Sequence, residues 1–362
     1  MFSQELGDSK MEIETKINDP AGGGGASLSS VPSAVDAIAY TPSFSKGFHQ
    51  ASTPMIEVRR LYRSFGKTEA VSDLSFEVMA GQVFGFIGPN GAGKTTSMRI
   101  LATLELPTYG DALIDRLSCI NDPDLVRTRM GFMPDGFGTY PNMDCIEYLD
   151  FFARAYGLVG KDRVSAVKRT LAFTGLDKIA SKSIRGLSKG MRQRLCLGRA
   201  IVHQPKVLIL DEPANGLDPR ARIELRQLIN QLAHEGVAVL VSSHILTELA
   251  EMCDQVGIIE RGKLLAVGSV ADIQKASSSG REVHVRFVSR IEQASHWLAT
   301  QNHVSQVTVE GDSISLQLAG DVADQSQLLR GLVQQDFEVI EFASKERSLE
   351  DVFMQITTGA VQ

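Results

Sequence analysis

A short glycine-rich segment between an apolar run and a helical pattern constrains this chain more than any other feature. Val83–Ile87 predicts a buried strand, and the stretch Thr95–Leu104 predicts a helix. The segment between them matches G-x-x-x-x-G-K-[ST], a loop whose backbone N–H groups wrap a polyphosphate. The matching residues are Gly88, Pro89, Asn90, Gly91, Ala92, Gly93, Lys94 and Thr95. A glycine-rich turn without a ligand is the alternative, and the flanking strand and helix argue against it.

The polar side chains of this loop suit a triphosphate with its metal. Lys94 is predicted to pair with the β- and γ-phosphates, the Thr95 hydroxyl to bind Mg²⁺, and Thr96 to donate to another phosphate oxygen. The amino terminus of the predicted helix also favours negative charge. By itself the motif indicates a nucleoside triphosphate and leaves GTPases, kinases and ATPases open.

Two acidic residues follow a second apolar run. Val207–Leu210 predicts a buried strand, and Asp211 and Glu212 come directly after it. Because the carboxyl ends of parallel strands open onto a ligand crevice, Asp211 is predicted to hold Mg²⁺, directly or through water. Glu212 is predicted to orient and deprotonate an attacking water, as phosphoryl transfer requires. Helix capping by these acids is the alternative, and the preceding apolar strand argues against it.

Changes of composition divide the chain into three parts. Residues 1–53 are rich in Gly, Ser, Pro and Ala, which predicts a disordered amino-terminal extension, with a partner-binding tail as the alternative. Over residues 54–276, strands such as Val237–Val241 alternate with helices such as Arg220–His234, which predicts a mostly parallel sheet. The middle of this part, about Met143–Ile201, has a helical pattern.

A serine-rich break precedes the third part, residues 281–360. Its pattern β-α-β-β-α-β predicts a small α+β domain of ferredoxin-like plan. The predicted strands are 282–289, 304–309, 312–318 and 337–343, and the predicted helices are 291–301 and 322–335.

Charge and hydropathy restrict the partners. The formal net charge of -6 argues against a binder that relies on general basicity, so no nucleic-acid partner is expected. No apolar run approaches the roughly 20 residues that a membrane-spanning helix needs. The amino terminus has neither the basic start nor the apolar core of a secretory signal. Four widely spaced cysteines form no C-x-x-C pair, which indicates reduced thiols in a cytoplasmic protein.

Three further segments carry a family resemblance. Gly186–Arg194 resembles the signature of ATP-binding-cassette (ABC) proteins, Asn215–Pro219 their D-loop, and Ser242–His244 their switch histidine. With the loop and the two acids, the resemblance covers about Met55–Ile273. More closely, the chain is similar to ATP-binding subunits of multidrug and polysaccharide exporters that have a separate permease. Those often carry a carboxyl-terminal extension that ends in a phrase like Ser348–Phe353.

The resemblance implies a fold and a way of working. It implies an α/β P-loop NTPase cassette with a mostly parallel sheet and a helical subdomain, of which two copies pack head to tail around ATP. Ser188 and Gly190 would then reach the γ-phosphate held by the other copy, and Asp218 would carry contacts across the dimer. His244 would contact the γ-phosphate and position water with Glu212. The pair is either a homodimer or a heterodimer of ABC subunits.

One aromatic residue and three departures from the family pattern complete the candidate site. Phe65 falls where the family places a ring that stacks on adenine, and a core phenylalanine is the alternative. Lys189 and Met191 replace a glycine and a glutamine of the usual signature. Asp135 stands where a glutamine is usual, and its carboxylate could bind Mg²⁺ or water. These departures affect the expected hydrolysis rate and coupling more than the expected ATP binding.

The leading hypothesis is the ATPase subunit of an exporter, located on the cytoplasmic face of the cell membrane through a permease. The surface formed by Asp135 and the stretch Tyr140–Leu158 would receive the permease. Its groove would consist of the rings of Tyr148, Phe151, Phe152 and Tyr156, and plain core packing of these rings is the alternative. A soluble non-transport ABC ATPase acting on ribosomes or nucleic acid is the second hypothesis. A nucleotide sensor without turnover is the third.

Overall fold

The structure is a computed structural model that describes residues 53–357, except positions 137, 139, 141 and 321 and the segments 277–280 and 346–348. The predicted disordered extension over residues 1–53 lies outside the described residues, save for its last position. The last residues of the predicted domain 281–360 lie outside them as well. The three predicted domain boundaries stay predictions.

The described elements fall into three consecutive groups. The first group is β1 (Ile56–Phe65), β2 (Thr68–Val78), β3 (Val83–Ile87), α1 (Lys94–Leu101), β4 (Tyr109–Ile114), β5 (Leu117–Ser118), α2 (Pro123–Arg129), β6 (Met130–Met133), α3 (Cys145–Ala155), α4 (Gly160–Phe173) and α5 (Lys189–Ile201). The second group is β7 (Val207–Leu210), α6 (Pro219–His234), β8 (Ala238–Ser243), α7 (Leu246–Met252), β9 (Gln255–Glu260), β10 (Lys263–Gly268) and α8 (Val270–Ala276). The third group is β11 (Arg281–Phe287), α9 (Ile291–Ala299), β12 (Val304–Glu310), β13 (Ser313–Leu318), α10 (Val322–Gln334), β14 (Val339–Lys345) and α11 (Leu349–Ile356).

The central sheet has the strand order β10-β9-β3-β8-β7-β6. The strands from β9 to β6 run parallel to their neighbours, and β10 is antiparallel to β9. All residues of β3 and β7 are buried, as is typical of parallel strands covered on both faces. The register pairs Ile87 with Ser243 and Leu210 with Val241. The segments that follow β3, β7 and β8 therefore leave the sheet at one edge, and the predicted mostly parallel α/β fold is confirmed.

Several predicted elements begin or end a few residues from the expected positions, and for two of them the structure gives the reason. The β8 strand runs to Ser243, beyond the predicted end at Val241, because its pairing with β3 continues. The α1 helix ends at Leu101 instead of Leu104. Its end is set by Thr103, whose φ of 58° is left-handed and cannot continue a right-handed helix.

A second, antiparallel sheet of order β2-β1-β4-β5 covers one face of the central sheet. Its alternating apolar residues, such as Ile56 and Leu74, are fully buried in a core shared with β3. The Phe76 ring stacks on Phe84 with ring centroids 5.1 Å apart. The β2 strand therefore alternates between buried and exposed residues, with its apolar side chains facing this core.

Helices α3, α4 and α5 form a helical subdomain with a separate apolar core. The α3 helix begins with a capping box in which Asp144 and Glu147 each accept from the other's backbone N–H. At the far end of α5, the His203 ring stacks on Tyr156 with centroids 3.6 Å apart and bonds the Met130 carbonyl oxygen at 3.0 Å. Burial lowers the pKa of His203 to about 4, so this ring is neutral near pH 7.

The carboxyl-terminal part is an antiparallel sheet of order β12-β13-β11-β14, joined with α9 and α10. This order and the sequence β-α-β-β-α-β are those of the predicted ferredoxin-like plan, which is confirmed. The last strand begins at Val339 instead of residue 337. Asp336 has a left-handed φ of 57°, and the Phe337 ring packs into the core before the strand begins.

The final helix, α11, was not predicted. It leaves the ferredoxin-like part and packs against α7 and α8. Val352 is fully buried in the core around the central sheet, and Phe353 packs against the same core beside Leu249 and Met252. The α11 helix is therefore anchored to the helix that follows Ser242–His244.

Shortening Val352 is expected to weaken this anchor. Val352→Ala should lower the free energy of unfolding by about 1–3 kcal/mol, because a fully buried valine loses most of its apolar contacts. Denaturant unfolding followed by fluorescence measures the change. Val322→Ala, at a side chain that is 65% exposed, is the control and should change the free energy by less than about 0.5 kcal/mol. Equal effects of the two variants would contradict the anchoring role.

Candidate functional site

The loop Gly88–Thr95 connects β3 to α1 as predicted. A side chain on Gly88 would overlap the carbonyl oxygen of Ile259, and one on Gly93 would overlap that of Ala70. Gly93 also has a left-handed φ of 102°. In the described structure no side chain caps the amino terminus of α1, and no acidic residue occupies its first turn. The first N–H groups of α1 are therefore available to an anion.

Lys94 lies within this loop and is almost completely buried, with 6% of its surface exposed. Its Nζ donates to the carbonyl oxygens of Gly88 at 2.6 Å and Pro89 at 3.1 Å. Burial lowers the pKa of the ammonium group, and the nearby carboxylates of Glu212 and Asp211 oppose that shift. A phosphate that entered the loop would offer this buried cation a stronger acceptor than two carbonyl groups.

Asp211 lies at the carboxyl end of β7 and is 2% exposed. Its Oδ1 accepts from the Thr95 hydroxyl at 3.2 Å and from the Ser242 hydroxyl at 2.8 Å. Burial raises the pKa of this carboxyl group, and the two hydrogen bonds oppose the rise. Two hard oxygen donors thus converge beside the loop.

The Thr95 and Asp211 oxygens are suited to bind Mg²⁺, and they are too few to hold a metal ion that needs only protein ligands. Among the described residues, no three His, Cys, Asp or Glu side chains are grouped so that they could hold a metal ion. Mg²⁺ takes one or two protein oxygen ligands and completes its coordination with phosphate oxygens and water. The Thr95 and Asp211 oxygens fit that requirement.

Glu212 and His244 lie side by side at the same edge of the sheet. Nδ1 of His244 is 2.7 Å from Oε2 of Glu212. The Glu212 side chain is 13% exposed, whereas that of His244 is 50% exposed. Glu212 has a left-handed φ of 50°, a conformation that costs energy for a non-glycine residue and often marks functional sites. A shielded carboxylate beside a solvent-facing imidazole is able to accept a proton from a bound water.

Ser242 supports both acids and was not predicted as a site residue. Its fully buried hydroxyl donates to Asp211 and accepts from the backbone N–H of Glu212 at 2.9 Å. It therefore stabilises the strained backbone at Glu212 and orients the Asp211 carboxylate. Its sequence signals were a polar residue at the end of an apolar strand and a place in the segment Ser242–His244, and neither indicated a contact with Asp211.

Removal of this hydroxyl is expected to slow ATP turnover. Ser242→Ala leaves the Glu212 N–H without its acceptor in a buried site, a cost of about 1–3 kcal/mol that corresponds to roughly a tenfold loss of rate. Phosphate release at saturating Mg-ATP measures it. The control is Ser243→Ala, whose hydroxyl accepts only a local bond from Ile245 N. A turnover equal to that of the control variant would remove Ser242 from this role.

A cavity of about 460 Å³ brings most of the predicted loop and catalytic residues together. Its lining residues are Ala70, Asn90, Gly91, Ala92, Gly93, Lys94, Thr95, Thr96, Asp135, Glu212, Asn215 and His244. Asn215 and Ala70 were not predicted to line it. The exposed Asp135 accepts a hydrogen bond of 3.1 Å from Asn215 Nδ2. The aspartate that stands where the family usually has glutamine is therefore bonded to the 215–219 segment.

Seven predicted site residues lie outside this lining. Three of them, Gly88, Pro89 and Asp211, accept hydrogen bonds from Lys94 or Thr95, which line the cavity. The other four are Phe65, Ser188, Gly190 and Asp218. Phe65 is 48% exposed and stacks under the Arg63 guanidinium at 4.4 Å, so it is not a core residue. Ser188 caps α5 by accepting from Met191 N, and Asp218 caps α6 by accepting from Ala221 N. A side chain on Gly190 would touch that of Ala221, so the two helix starts are adjacent. The assignments of these residues stay predictions.

The signature departures have local structural roles. Nζ of Lys189 lies over Gly216, where a side chain would overlap it. Met191 packs against the core of the helical subdomain. The Lys189 side chain therefore lies close to the 215–219 segment of the same chain, whereas Met191 takes part in apolar packing.

Three features define a P-loop nucleotide-binding protein. They are the glycine-rich loop between β3 and α1, the two acids after β7, which lies two strands from β3 in the sheet, and the polar cavity where these residues meet. Comparisons with known proteins specify the family. The family described as ABC transporter matches residues 71–215, and the family described as ATP-binding protein DrrA1-3-like, C-terminal domain, matches residues 268–357.

Several curated relatives are similar to the chain. The ABC transporter ATP-binding protein YxlF of Bacillus subtilis is 33% identical over 83% of this chain and 99% of its own length. The bacitracin transport ATP-binding protein BcrA of Bacillus licheniformis is 32% identical over 84% of this chain and 98% of its own. The probable multidrug ABC transporter ATP-binding protein YbhF of Escherichia coli is 33% identical over 76% of this chain. The chain spans about half the length of YbhF, because the match covers 46% of it.

Solved structures share the cassette. A structure titled as the ATP binding subunit of an ABC transporter has a TM-score of 0.57 and 29% identity, covering 61% of this chain and 92% of its own. A dimeric bacterial ABC transporter cassette with 23% identity shares the fold, with a TM-score of 0.54 over 60% of this chain and 99% of its own. The chain belongs to the ATP-binding proteins of ABC transporters.

Proposed function

We propose that this ATPase powers export through a separate membrane permease, by closure of two cassettes around Mg-ATP. The observation that carries the proposal is the Glu212–His244 pair at 2.7 Å, which faces the same cavity as the phosphate loop. An acid, a histidine and a buried lysine around one cavity supply the positioning and charge neutralisation that phosphoryl transfer needs.

In the proposed cycle, ATP lies in the loop with Lys94 on its phosphates. Thr95 and Asp211 would hold Mg²⁺, and Asp135 would contribute a negative charge near Asp211, acting through water. Mg²⁺ supplies neutralisation of the developing phosphate charge when it is bound. Glu212 accepts the proton of the attacking water, and His244 keeps the carboxylate in place.

A second cassette completes the site. His244 and Asn215 line the cavity, whereas the chain's own Ser188 and Gly190 lie outside its lining. Another copy, or a related ABC subunit, brings these residues to the γ-phosphate, with its helix start favouring negative charge. Phe65, exposed beside Arg63, is free to stack on the adenine ring.

The permease docks on the helical subdomain. None of the helices in the described part of the chain combines the length and apolar character of a membrane span. Tyr140, Ile146 and Phe151 are 50%, 43% and 45% exposed, and the Tyr140 and Phe151 rings contact each other at 5.9 Å. Tyr148, one of the four rings predicted to form the groove, is fully buried and therefore belongs to the core. Phe151 is the aromatic ring best placed to receive a permease helix.

Relatives named for multidrug and bacitracin transport support export as the direction of transport. Cell fractionation tests the proposal. The chain is expected to sediment with membranes when its permease, a membrane protein, is co-expressed, and to stay in the supernatant without it.

Phe151→Ser should lower the membrane-bound fraction, while Val159→Ser, at a side chain 71% exposed in the same subdomain, should leave it unchanged. Sedimentation with ribosomes without the membrane protein would favour the ribosomal hypothesis instead.

A further inference from the structure

Arg222, in the first turn of α6, contacts two different parts of the molecule at once. Its Nε donates a hydrogen bond of 2.9 Å to the carbonyl oxygen of Leu217. Its Nη1 lies 3.1 Å from Oε1 of Glu248 in α7. Leu217 precedes Asp218, the residue assigned to contacts across the dimer. Since α7 begins just after His244, one guanidinium group joins the proposed dimer-contact segment to the helix behind the proposed switch histidine.

The α7 helix is held in two different ways. Its apolar side is packed into the core through the fully buried Leu249. Its polar side faces α6 through two ion pairs, Arg222 with Glu248 and Arg226 with Glu251. A helix fixed along one side pivots about that side, so the ion pairs on the other side govern where its first residues lie.

The two ion pairs differ in their surroundings. The side chains of Arg222 and Glu248 are 34% and 16% exposed, whereas that of Glu251 is 60% exposed. Burial raises the pKa of Glu248, and the positive charge of Arg222 opposes that rise; His244 acts on it in the same direction as Arg222. Solvent screens the outer pair more than the inner one. The inner pair therefore holds α7 more firmly, and its acid is close enough to His244 to interact with it electrostatically.

Arginine suits a connection of this kind. Its guanidinium is planar, and its five donors keep fixed angles to one another, so a shift of the Leu217 carbonyl oxygen that tilts the group also moves the nitrogen beside Glu248. Lysine has one nitrogen on a flexible stem and would follow either partner separately. Among the contacts of the described residues, Arg226 has no corresponding bond to the segment 215–219.

We infer that Arg222 is a positioning residue that transmits the conformation of the segment 215–219 to His244, so that contact with a second cassette sets the switch histidine for hydrolysis. The inference rests on the proposed two-cassette function. If Arg222 only held α6 and α7 together, the ion pair with Glu248 would be sufficient. Transmission from the segment 215–219 also requires the hydrogen bond from Arg222 to the Leu217 carbonyl oxygen.

A charge exchange separates these two roles. The double variant Arg222→Glu with Glu248→Arg restores opposite charges between α6 and α7, but a glutamate at 222 cannot donate to the Leu217 carbonyl oxygen. The expected result is thermal stability close to that of the wild type and unchanged ATP affinity. Turnover should fall at least about tenfold, and the Hill coefficient for ATP should fall from near 2 towards 1.

Two further variants make the readout specific. Arg222→Lys keeps the charge and should show an intermediate loss of turnover and cooperativity. The matched control is the exchange Arg226→Glu with Glu251→Arg, one turn along the same helices, which should keep both turnover and cooperativity within twofold of the wild type.

The outcomes distinguish the inference from the function on which it rests. A charge-exchanged protein at 222 and 248 with wild-type turnover and Hill coefficient overturns the inference alone. Equal losses of turnover and cooperativity in the control exchange at 226 and 251 also overturn it, because any ion pair between α6 and α7 would then have the same effect. If the wild-type protein shows a Hill coefficient of 1 and Glu212→Gln forms no ATP-dependent dimer, the proposed two-cassette function fails, and the inference fails with it.

Discussion

Glu212→Gln is expected to lower ATP turnover by about 10²- to 10⁴-fold, the usual contribution of a general base. Glutamine keeps the size of the side chain but cannot accept a proton from water. Because the amide retains an oxygen beside His244 and Lys94 is untouched, ATP should still bind. The uncleaved nucleotide should then hold two molecules together, so gel filtration with Mg-ATP should show a dimer.

Phosphate release under single-turnover conditions measures this loss directly. Glu235→Gln, at an exposed residue beyond the end of α6, is the control and should leave turnover unchanged. Wild-type turnover in Glu212→Gln would remove this residue from its catalytic assignment. A loss of nucleotide binding would instead indicate that the carboxylate organises the cavity.

Lys94→Ala is expected to weaken ATP binding by roughly 10²-fold. A hydrogen bond to a charged group contributes about 1.5–3 kcal/mol, and each 1.4 kcal/mol is a tenfold change of affinity. The position is 6% exposed, so solvent cannot replace the missing cation efficiently. Titration with a fluorescent ATP analogue measures the dissociation constant.

The free protein should tolerate this change, since among the described residues the ammonium donates hydrogen bonds only to two loop carbonyl groups. Its melting temperature without nucleotide therefore serves as the folding control. Lys161→Ala, on the exposed side of α4, is the surface control and should bind ATP normally. Unaltered affinity in Lys94→Ala would mean that the nucleotide does not occupy this loop.

Most elements of the fold follow from local patterns. The continuous apolar runs of β3 and β7 predicted strands buried on both faces, and the structure has both at the predicted residues. The β-α-β-β-α-β order could be predicted because each helix and strand of this small domain has an apolar face in its own sequence, and that face packs in the domain's core. By contrast, α11 buries Val352 against residues about a hundred positions earlier in the chain, and no local pattern indicates such a partner.

The candidate site shows the same division. The loop and the acids after β7 were recognisable, because phosphate binding and metal ligation require particular residue types in a particular order. Ser242, Asn215 and Arg222 were not, since their roles depend on what lies opposite them. A serine after an apolar strand is common, and only the register of β7 against β8 turns it towards Asp211.

The sequence by itself determined the chemistry of this protein: a loop for a triphosphate, acids at a strand end, and a histidine after another strand. These features can be recognised from the order of residues alone, because the backbone conformation and the type of ligand restrict which residues can occupy each position. Only the tertiary structure decided which side chains meet. It placed Glu212 2.7 Å from His244, buried Tyr148 while exposing Phe151, and brought Arg222 between two distant segments. Distances of that kind depend on sheet register and helix packing, which are properties of the whole folded chain.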